Sequence, residues 1–174
     1  MSGTLFIPPA ALAPAGGCGS IVPGPAAPET VILRNDGWWP DIDLAALRKA
    51  TRIRDTVTTE RLRDAVLGAI ITLGLDLDAW GERQRAAGAA SLATVPGRAN
   101  VAIDGEPRLV ILYRRAIGAT AKAELVERYR DLDSTKAGDR DADALDQTPS
   151  ELRRDAVYAI RDMLGRGRVA VELI

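Results

Sequence analysis

Residues 58–88 read TTERLRDAVLGAIITLGLDLDAWGERQRAAG, and their period decides the fold class. Leu62, Val66, Ile70, Leu73, Leu77 and Trp80 recur at steps of four, four, three, four and three. Such spacing places six apolar side chains in one stripe of a 3.6-residue helix. Leu67 and Ile71 widen the stripe. Thr58 suits an N-cap, because its hydroxyl can accept a bond from an orphan backbone N–H of the first turn. The pattern predicts a long helix from the Thr58 cap to about Ala87 or Gly88. Gly68, Gly74 and Gly81 each cost about 1 kcal/mol relative to alanine inside it. Their use there points to close contacts with neighbouring helices.

The flanking segments read the same way. Asp43 is placed to cap a short helix over Leu44–Thr51, with Leu44 and Leu47 on one face. Residues 88–106 hold Pro96-Gly97 and Asp104-Gly105 and read as a loop. A third helix is predicted from near Pro107, a good first-turn residue, to about Asp131. In it Val110, Tyr113, Ile117, Ala121 and Leu125 recur every four residues, and Leu109, Leu112, Ala116, Thr120 and Ala123 fill the adjoining face. So broad an apolar surface suits the central helix of a bundle, or one shared with another subunit. Glu124 and Arg128 stand in the favourable i,i+4 order. After a polar, acidic stretch over 132–147, Thr148-Pro149-Ser150-Glu151 forms a capping box with proline at the first helical position. Leu152, Ala156, Ala159 or Ile160, and Met163 follow on one face, and Gly165 or Gly167 ends the helix.

The two ends differ from this body. Residues 1–40 hold seven of the ten prolines and six of the sixteen glycines, a composition that forms no helix and buries little. They are expected to form an extended arm, with a short strand at Thr30–Arg34 and a turn at Asn35-Asp36-Gly37. Val169, Val171 and Leu173 alternate with Ala170, Glu172 and Ile174 like a half-buried strand. The expected organisation is an arm over 1–40, a bundle over 41–167 and a tail over 168–174. The fold class is mainly α: a small helical bundle with an extended N-terminal arm and a short strand-like C-terminal tail.

Composition narrows the function. The chain has 174 residues, 23 Lys+Arg against 24 Asp+Glu, no histidine and one cysteine. A net charge of -1 argues against a protein that coats nucleic acid, because phosphate binding needs a basic excess. Without histidine, the common zinc sites and histidine-based triads are excluded, and a single cysteine excludes an internal disulfide framework. No cofactor is expected. Residues 1–28 carry no charge, so there is no basic start of a targeting signal, and the longest uncharged helical run, Ala65–Leu75, is too short to span a bilayer. The reading is a soluble intracellular protein with no membrane partner.

The constellations that carry chemistry elsewhere are weak here. Asp139, Asp141 and Asp143 alternate like the start of a calcium loop, but Ala144 and Ser150 stand where glycine and glutamate belong. Asp76 with Asp78, or Asp131 with Asp133, read as surface charge rather than an acid–base pair. Gly16-Gly17-Cys18-Gly19 neither follows a strand nor opens a helix, and Cys18 has no histidine base. Trp38-Trp39-Pro40-Asp41-Ile42-Asp43 is the sharpest concentration of side chains. It reads either as a hydrophobic staple ahead of the Asp43 cap or as an anchor for a neighbouring subunit. Trp38, Trp39, Val169, Val171 and Leu173 are the candidate interface residues. Arg114-Arg115, Arg128 with Arg130, and Arg153-Arg154 are interleaved with acids; solvated faces, interfacial ion pairs and a local DNA-facing patch are the readings, in that order.

Several runs together resemble one family. They are Trp38–Asp43; Thr56-Val57-Thr58 followed by Arg61-Leu62-Arg63-Asp64-Ala65; Ala87-Gly88; Leu92-Ala93-Thr94-Val95-Pro96; and Ile103-Asp104-Gly105-Glu106. Tyr113-Arg114-Arg115-Ala116, Glu127-Arg128-Tyr129-Arg130 and Glu151-Leu152-Arg153-Arg154-Asp155 continue the series. In this order and spacing the chain resembles the head completion (GPL-type) proteins of tailed phages with contractile tails, over nearly its whole length. The resemblance implies a non-enzymatic virion protein of the head–tail neck, present in host cytoplasm during assembly. It implies binding below the portal protein after DNA packaging, in a ring of its own copies whose symmetry follows the portal's, twelvefold. Such a ring retains the genome, surrounds a channel for packaged DNA, and offers a surface to a tail terminator or other neck protein. It carries no catalytic residues. The alternatives are a helical DNA-binding regulator, which would need a short recognition helix with basic residues facing one groove, and a carboxylate enzyme, which would need a deep acidic cleft.

Overall fold

A computed structural model describes residues 31–97, 100–129 and 147–167. Four helices make up most of it: α1 over Leu44–Thr51, α2 over Thr59–Ala86, α3 over Arg108–Tyr129 and α4 over Pro149–Met163. The mainly α class expected from the periodicity is what the chain forms. α3 is the centre. It packs against α4 and α2, and α1 leans on it as well, whereas α2 and α4 barely meet. The nearly continuous apolar surface of α3 follows from this position. Leu109, Val110, Leu112, Tyr113, Ala116, Ile117, Ala121 and Leu125 are all buried because α3 has neighbours on most sides.

The starts of the helices obey local chemistry. Asp43 Oδ1 accepts from the N–H groups of Ala45 and Ala46, at 2.8 and 3.1 Å. The Thr58 hydroxyl accepts from Arg61 N. Thr148 and Glu151 close the reciprocal box: Glu151 Oε2 accepts from Thr148 N at 2.8 Å and Thr148 Oγ1 from Glu151 N at 3.3 Å. Those two bonds satisfy two donors that the first turn of a helix leaves orphaned. The Thr148 N–H and hydroxyl, both donating to Glu151 Oε2, hold the Glu151 carboxyl below its ordinary range, the backbone bond first.

The core stripe of α2 is narrower than its period suggests. Leu62, Val66, Leu73 and Leu77 are buried, Ile70 and Trp80 partly so. Ile71, expected to widen the stripe, is instead 65 % exposed. A helix that leans on one partner, α3, buries only the face turned to it, and Ile71 lies beyond the edge of that contact.

Two short hairpins and a 3-10 turn over Leu92–Thr94 complete the described residues. β1, Ile32–Leu33, pairs antiparallel with β2, Ile42–Asp43, in the register Ile32 with Asp43 and Leu33 with Ile42. β3, Ala102–Ile103, pairs with β4, Glu106–Pro107, around the Asp104-Gly105 turn. The stretch read as pure loop therefore holds a two-residue hairpin. Asp104 and Gly105 take φ of +51° and +76°, as a tight turn matching strand twist requires. Asn100 braces the loop behind it: Nδ2 donates to the Ala93 and Val95 carbonyls at 2.9 and 3.0 Å, and Oδ1 accepts from Leu109 N at 3.2 Å. The stretch 31–40, at the end of the proline-rich segment, contributes Leu33 and Trp38 to the core. The expected tail strand lies outside the described residues, as do Cys18 and the aspartates from Asp131 to Asp143.

Candidate assembly site

The Trp38-Trp39 pair sits in the turn between β1 and β2, and Asp36 makes the turn. Its Oδ1 accepts from the backbone N–H of Trp38 and of Trp39, both at 2.9 Å, an aspartate folding the chain back on itself. Its Oδ2 meets Arg85 of α2 at 2.9 Å. The Arg85 guanidinium in turn lies 4.6 Å from the centre of the Trp38 ring, a cation over an aromatic face. Gly37, with φ of +90°, supplies the left-handed step between Asp36 and the ring pair.

The rings then lock into the body. Trp38 is 7 % exposed. Its Nε1 donates to the Ala89 carbonyl at 2.9 Å and its own carbonyl accepts from Leu92 N at 2.9 Å. Trp39 meets Trp38 edge-on at 4.6 Å and stacks on Tyr113 at 4.9 Å with 18° between planes. Trp80 stands 6.2 and 6.4 Å from the two rings. All three tryptophans of the chain thus form one cluster against α2 and α3. Gly81 makes room, since a Cβ there would lie 3.3 Å from Trp39 Cζ2. The Tyr113 hydroxyl accepts from Asn35 Nδ2 at 3.0 Å. Burial, with a smaller push from the Asp36 carboxylate, drives that hydroxyl up to about 12.

On another side of α3, the β1–β2 hairpin, α1 and the start of α4 enclose an open groove of about 950 Å³. Ile32, Leu47, Ile111, Ala119 and Leu152 supply apolar lining, and Arg114, Arg115, Lys122, Asp41, Glu106 and Asp155 bring charges of both signs to it. Arg114 pairs with Glu106. Gly118 lies at the base: a Cβ there would come within 2.8 Å of Thr51 Cγ2, so α1 approaches α3 only because this residue is glycine. The mixed signs and apolar lining suit a length of polypeptide. Among the described residues there is no cluster of three metal-ligating side chains, and no helix is long and apolar enough to cross a membrane.

Of the five candidate interface residues, the structure places Trp38 and Trp39 in the aromatic cluster; Val169, Val171 and Leu173 lie outside the described residues. Sequence reasoning missed Trp80, Tyr113, Arg85 and Asn35 as members of that cluster. Arg85 carried no signal of its own, and Asn35 only that of a turn.

Comparison with known proteins gives the family. The profile of the family described as phage head completion protein (GPL) matches residues 33–174. The chain belongs to the phage head completion (GPL) family. As a GPL-family protein it is a mainly α head completion protein of virion assembly. It is 40 % identical over 172 residues to the head completion/stabilization protein of Escherichia phage P2, covering 98 % of this chain and 99 % of that one. It is 28 % identical over 146 residues to the probable head completion/stabilization protein of Haemophilus phage HP1 (strain HP1c1), covering 84 % of this chain and 94 % of that one. No solved structure matches it. The profile begins at Leu33, so the Trp turn, its α2 and α3 partners and the groove lining other than Ile32 lie inside the family match, whereas residues 1–32 precede it.

Proposed function

We propose that this GPL-family protein is a structural connector of the phage neck. It binds below the portal protein once DNA is packaged and forms a ring of its own copies, twelvefold to follow the portal. It helps to retain the genome, surrounds the channel through which packaged DNA passes, and presents the surface that a tail terminator or other neck protein meets. Its place is the neck of the virion, and the host cytoplasm while heads are being assembled. Such work needs contacts and no bond chemistry, so the protein has no catalytic activity and needs no cofactor.

The observation that carries this reading is the end-to-end match to the P2 head completion/stabilization protein. The geometry supports it in two ways. The aromatic cluster ties the β1–β2 hairpin to α2 and α3, which gives the preceding arm a rigid base. Among the described residues β1 has one strand partner, β2. The tail segment with Val169, Val171 and Leu173 has the alternation a strand edge takes up, and in the ring it joins the β1 edge of a neighbouring copy. Trp38 and Trp39 act there from within, by fixing the hairpin that the neighbour's tail meets.

A helical DNA-binding regulator remains the competing reading. It has less support, because α2 and α3 run to 28 and 22 residues and no short helix–turn–helix unit stands out among the described residues. The deciding experiment removes the protein from an infection and supplies it in trans. DNA-filled heads should lose their contents or fail to accept tails without it, and should carry a ring-sized complement of it when it is restored. Complete, infective particles formed without the protein would sink the proposal, and salt-dependent binding of the isolated protein to duplex DNA would favour the regulator.

A further inference from the structure

The described surface carries two apolar helix faces that the bundle leaves uncovered, and their charges are opposite. On α2, Ile71 is 65 % and Leu75 77 % exposed. The helical period puts Glu60 and Asp64 before the aliphatic pair and Asp78 and Glu82 after it on the same outward face, with Arg85 beside Glu82. On α4, Val157 is 49 % exposed, opposite the buried Leu152, Ala156, Ala159 and Met163. Arg153, Arg154 and Arg161 share its face. One is an aliphatic pair with a mostly acidic border; the other is a single exposed valine among arginines.

Their placement matters as much as their chemistry. α2 and α4 pack on different flanks of α3 and barely meet. A subunit therefore cannot cover one face with the other. Two copies joined α2 to α2 would set acids against acids, and two joined α4 to α4 would set arginines against arginines. Like charges across an interface disfavour both symmetric dimers. The contact that satisfies both faces is α2 of one copy against α4 of the next, a head-to-tail contact that leaves a free α2 and a free α4 at the ends. Contacts of that kind propagate, and they end only by closing into a ring.

We infer that the subunit–subunit interface of this protein sets the Ile71/Leu75 face of α2 against the Val157 face of α4 in a second copy, with Asp78 meeting Arg154. The inference deepens the ring reading above by naming its surfaces, and rests on that reading for where the ring is found. Arg153, Glu82 and Arg161 already hold partners within the subunit, Glu127, Arg85 and the Gly167 carbonyl. These bonds border the new contact and set its edge.

Thiols placed on the two faces test it. Leu75→Cys and Val157→Cys are made singly and together in a full-length Cys18→Ser protein. Both positions are exposed, so the variants keep their helices, which circular dichroism verifies. A short bifunctional maleimide is applied to DNA-filled particles and to concentrated purified protein. The double variant should give a ladder of covalent multimers, and each single variant should give none, because position 75 of one copy faces position 157 of the next. Adding Asp78→Arg should weaken the ladder about tenfold, and adding Arg154→Asp to that should restore it. Dimers from Leu75→Cys alone would overturn the inference, since they mean a symmetric contact. So would the double variant giving no multimer in either preparation, or duplex DNA rather than protein shielding position 157. Absence of the protein from the particles would sink the neck reading by itself, and the pairing would then stand or fall on the ladder from purified protein.

Discussion

Asp36 and Arg85 meet at 2.9 Å across 49 positions of sequence, and Trp38 lies beneath the guanidinium that joins them. The same carboxylate holds the backbone of the Trp38-Trp39 turn with its other oxygen. One aspartate thus couples the local turn to α2. The pair is half exposed, so its Coulomb energy is small. Its effect is to orient the two rings that carry the burial.

Those rings should dominate the stability of the hairpin. Trp38→Ala removes a buried indole and leaves the Ala89 carbonyl without its donor, for a loss of about 3–5 kcal/mol. Trp38→Phe keeps most of the apolar surface and should cost less than half of that. Urea unfolding followed by far-UV circular dichroism measures both; equal losses would mean that the Ala89 bond carries the effect and the packing does not.

Gly118 offers a test with a rescue. Gly118→Ala puts a methyl 2.8 Å from Thr51 Cγ2, while Thr51 is held by its own bond to the Leu47 carbonyl at 2.7 Å. The variant should lose about 1–2 kcal/mol to overpacking. Thr51→Ser deletes only the clashing methyl. In that background Gly118→Ala should become neutral or stabilising by up to about 1 kcal/mol, the helix-propensity gain over glycine. A double-mutant cycle in denaturant with no coupling would refute the close approach of α1 to α3.

Tyr113 predicts the alkaline limb of stability. Its folded hydroxyl titrates near 12 against an ordinary 10, because burial disfavours the phenolate. The folded state holds this proton more tightly than the unfolded one. The contribution is therefore complete below pH 10 and is lost as pH rises from 10 to 12. Tyr113→Phe should flatten the fall in stability over that window, measured by thermal unfolding at a series of pH values.

The capping box predicts the acid side of α4. Thr148→Ala should cost about 1 kcal/mol. Glu151 has a lowered pKa, so its charge supports the helix above the unfolded carboxylate value and stops doing so as pH falls through the lowered folded one. Glu151→Gln should be less stable than the parent at neutral pH, and the two should converge in acid. Amide exchange in the first turn of α4 reads this directly.

Deleting residues 168–174 tests the proposed use of the tail. The truncated protein should keep its helical circular dichroism and fail to enter the neck, leaving DNA-filled heads that do not accept tails. Normal tail joining by the truncated protein would remove Val169, Val171 and Leu173 from the assembly interface, and loss of helicity would place them in the subunit's own core.

The helices were legible in the chain before any coordinates, and so were their first residues. Asp43, Thr58 and the Thr148–Glu151 box each act on N–H groups two or three positions away, and the leucines of α2 repeat within one helix. Local hydrogen bonds and a local period need only neighbouring residues, and neighbouring residues are what a sequence displays. The weight of Trp38-Trp39 was legible too, because two tryptophans side by side must be covered by something. What covers them was not: Trp80, Arg85, Ala89 and Tyr113 reach them across the bundle, and no period relates those positions to 38 and 39. The exposure of Ile71, the groove beside Gly118 and the opposed charge of the α2 and α4 faces were likewise decided only by how the helices pack. A helix's pattern states how much apolar surface it has, whereas which part is covered depends on the neighbours that surround it, and in this protein α3 has neighbours for nearly all of its surface and α2 for one stripe.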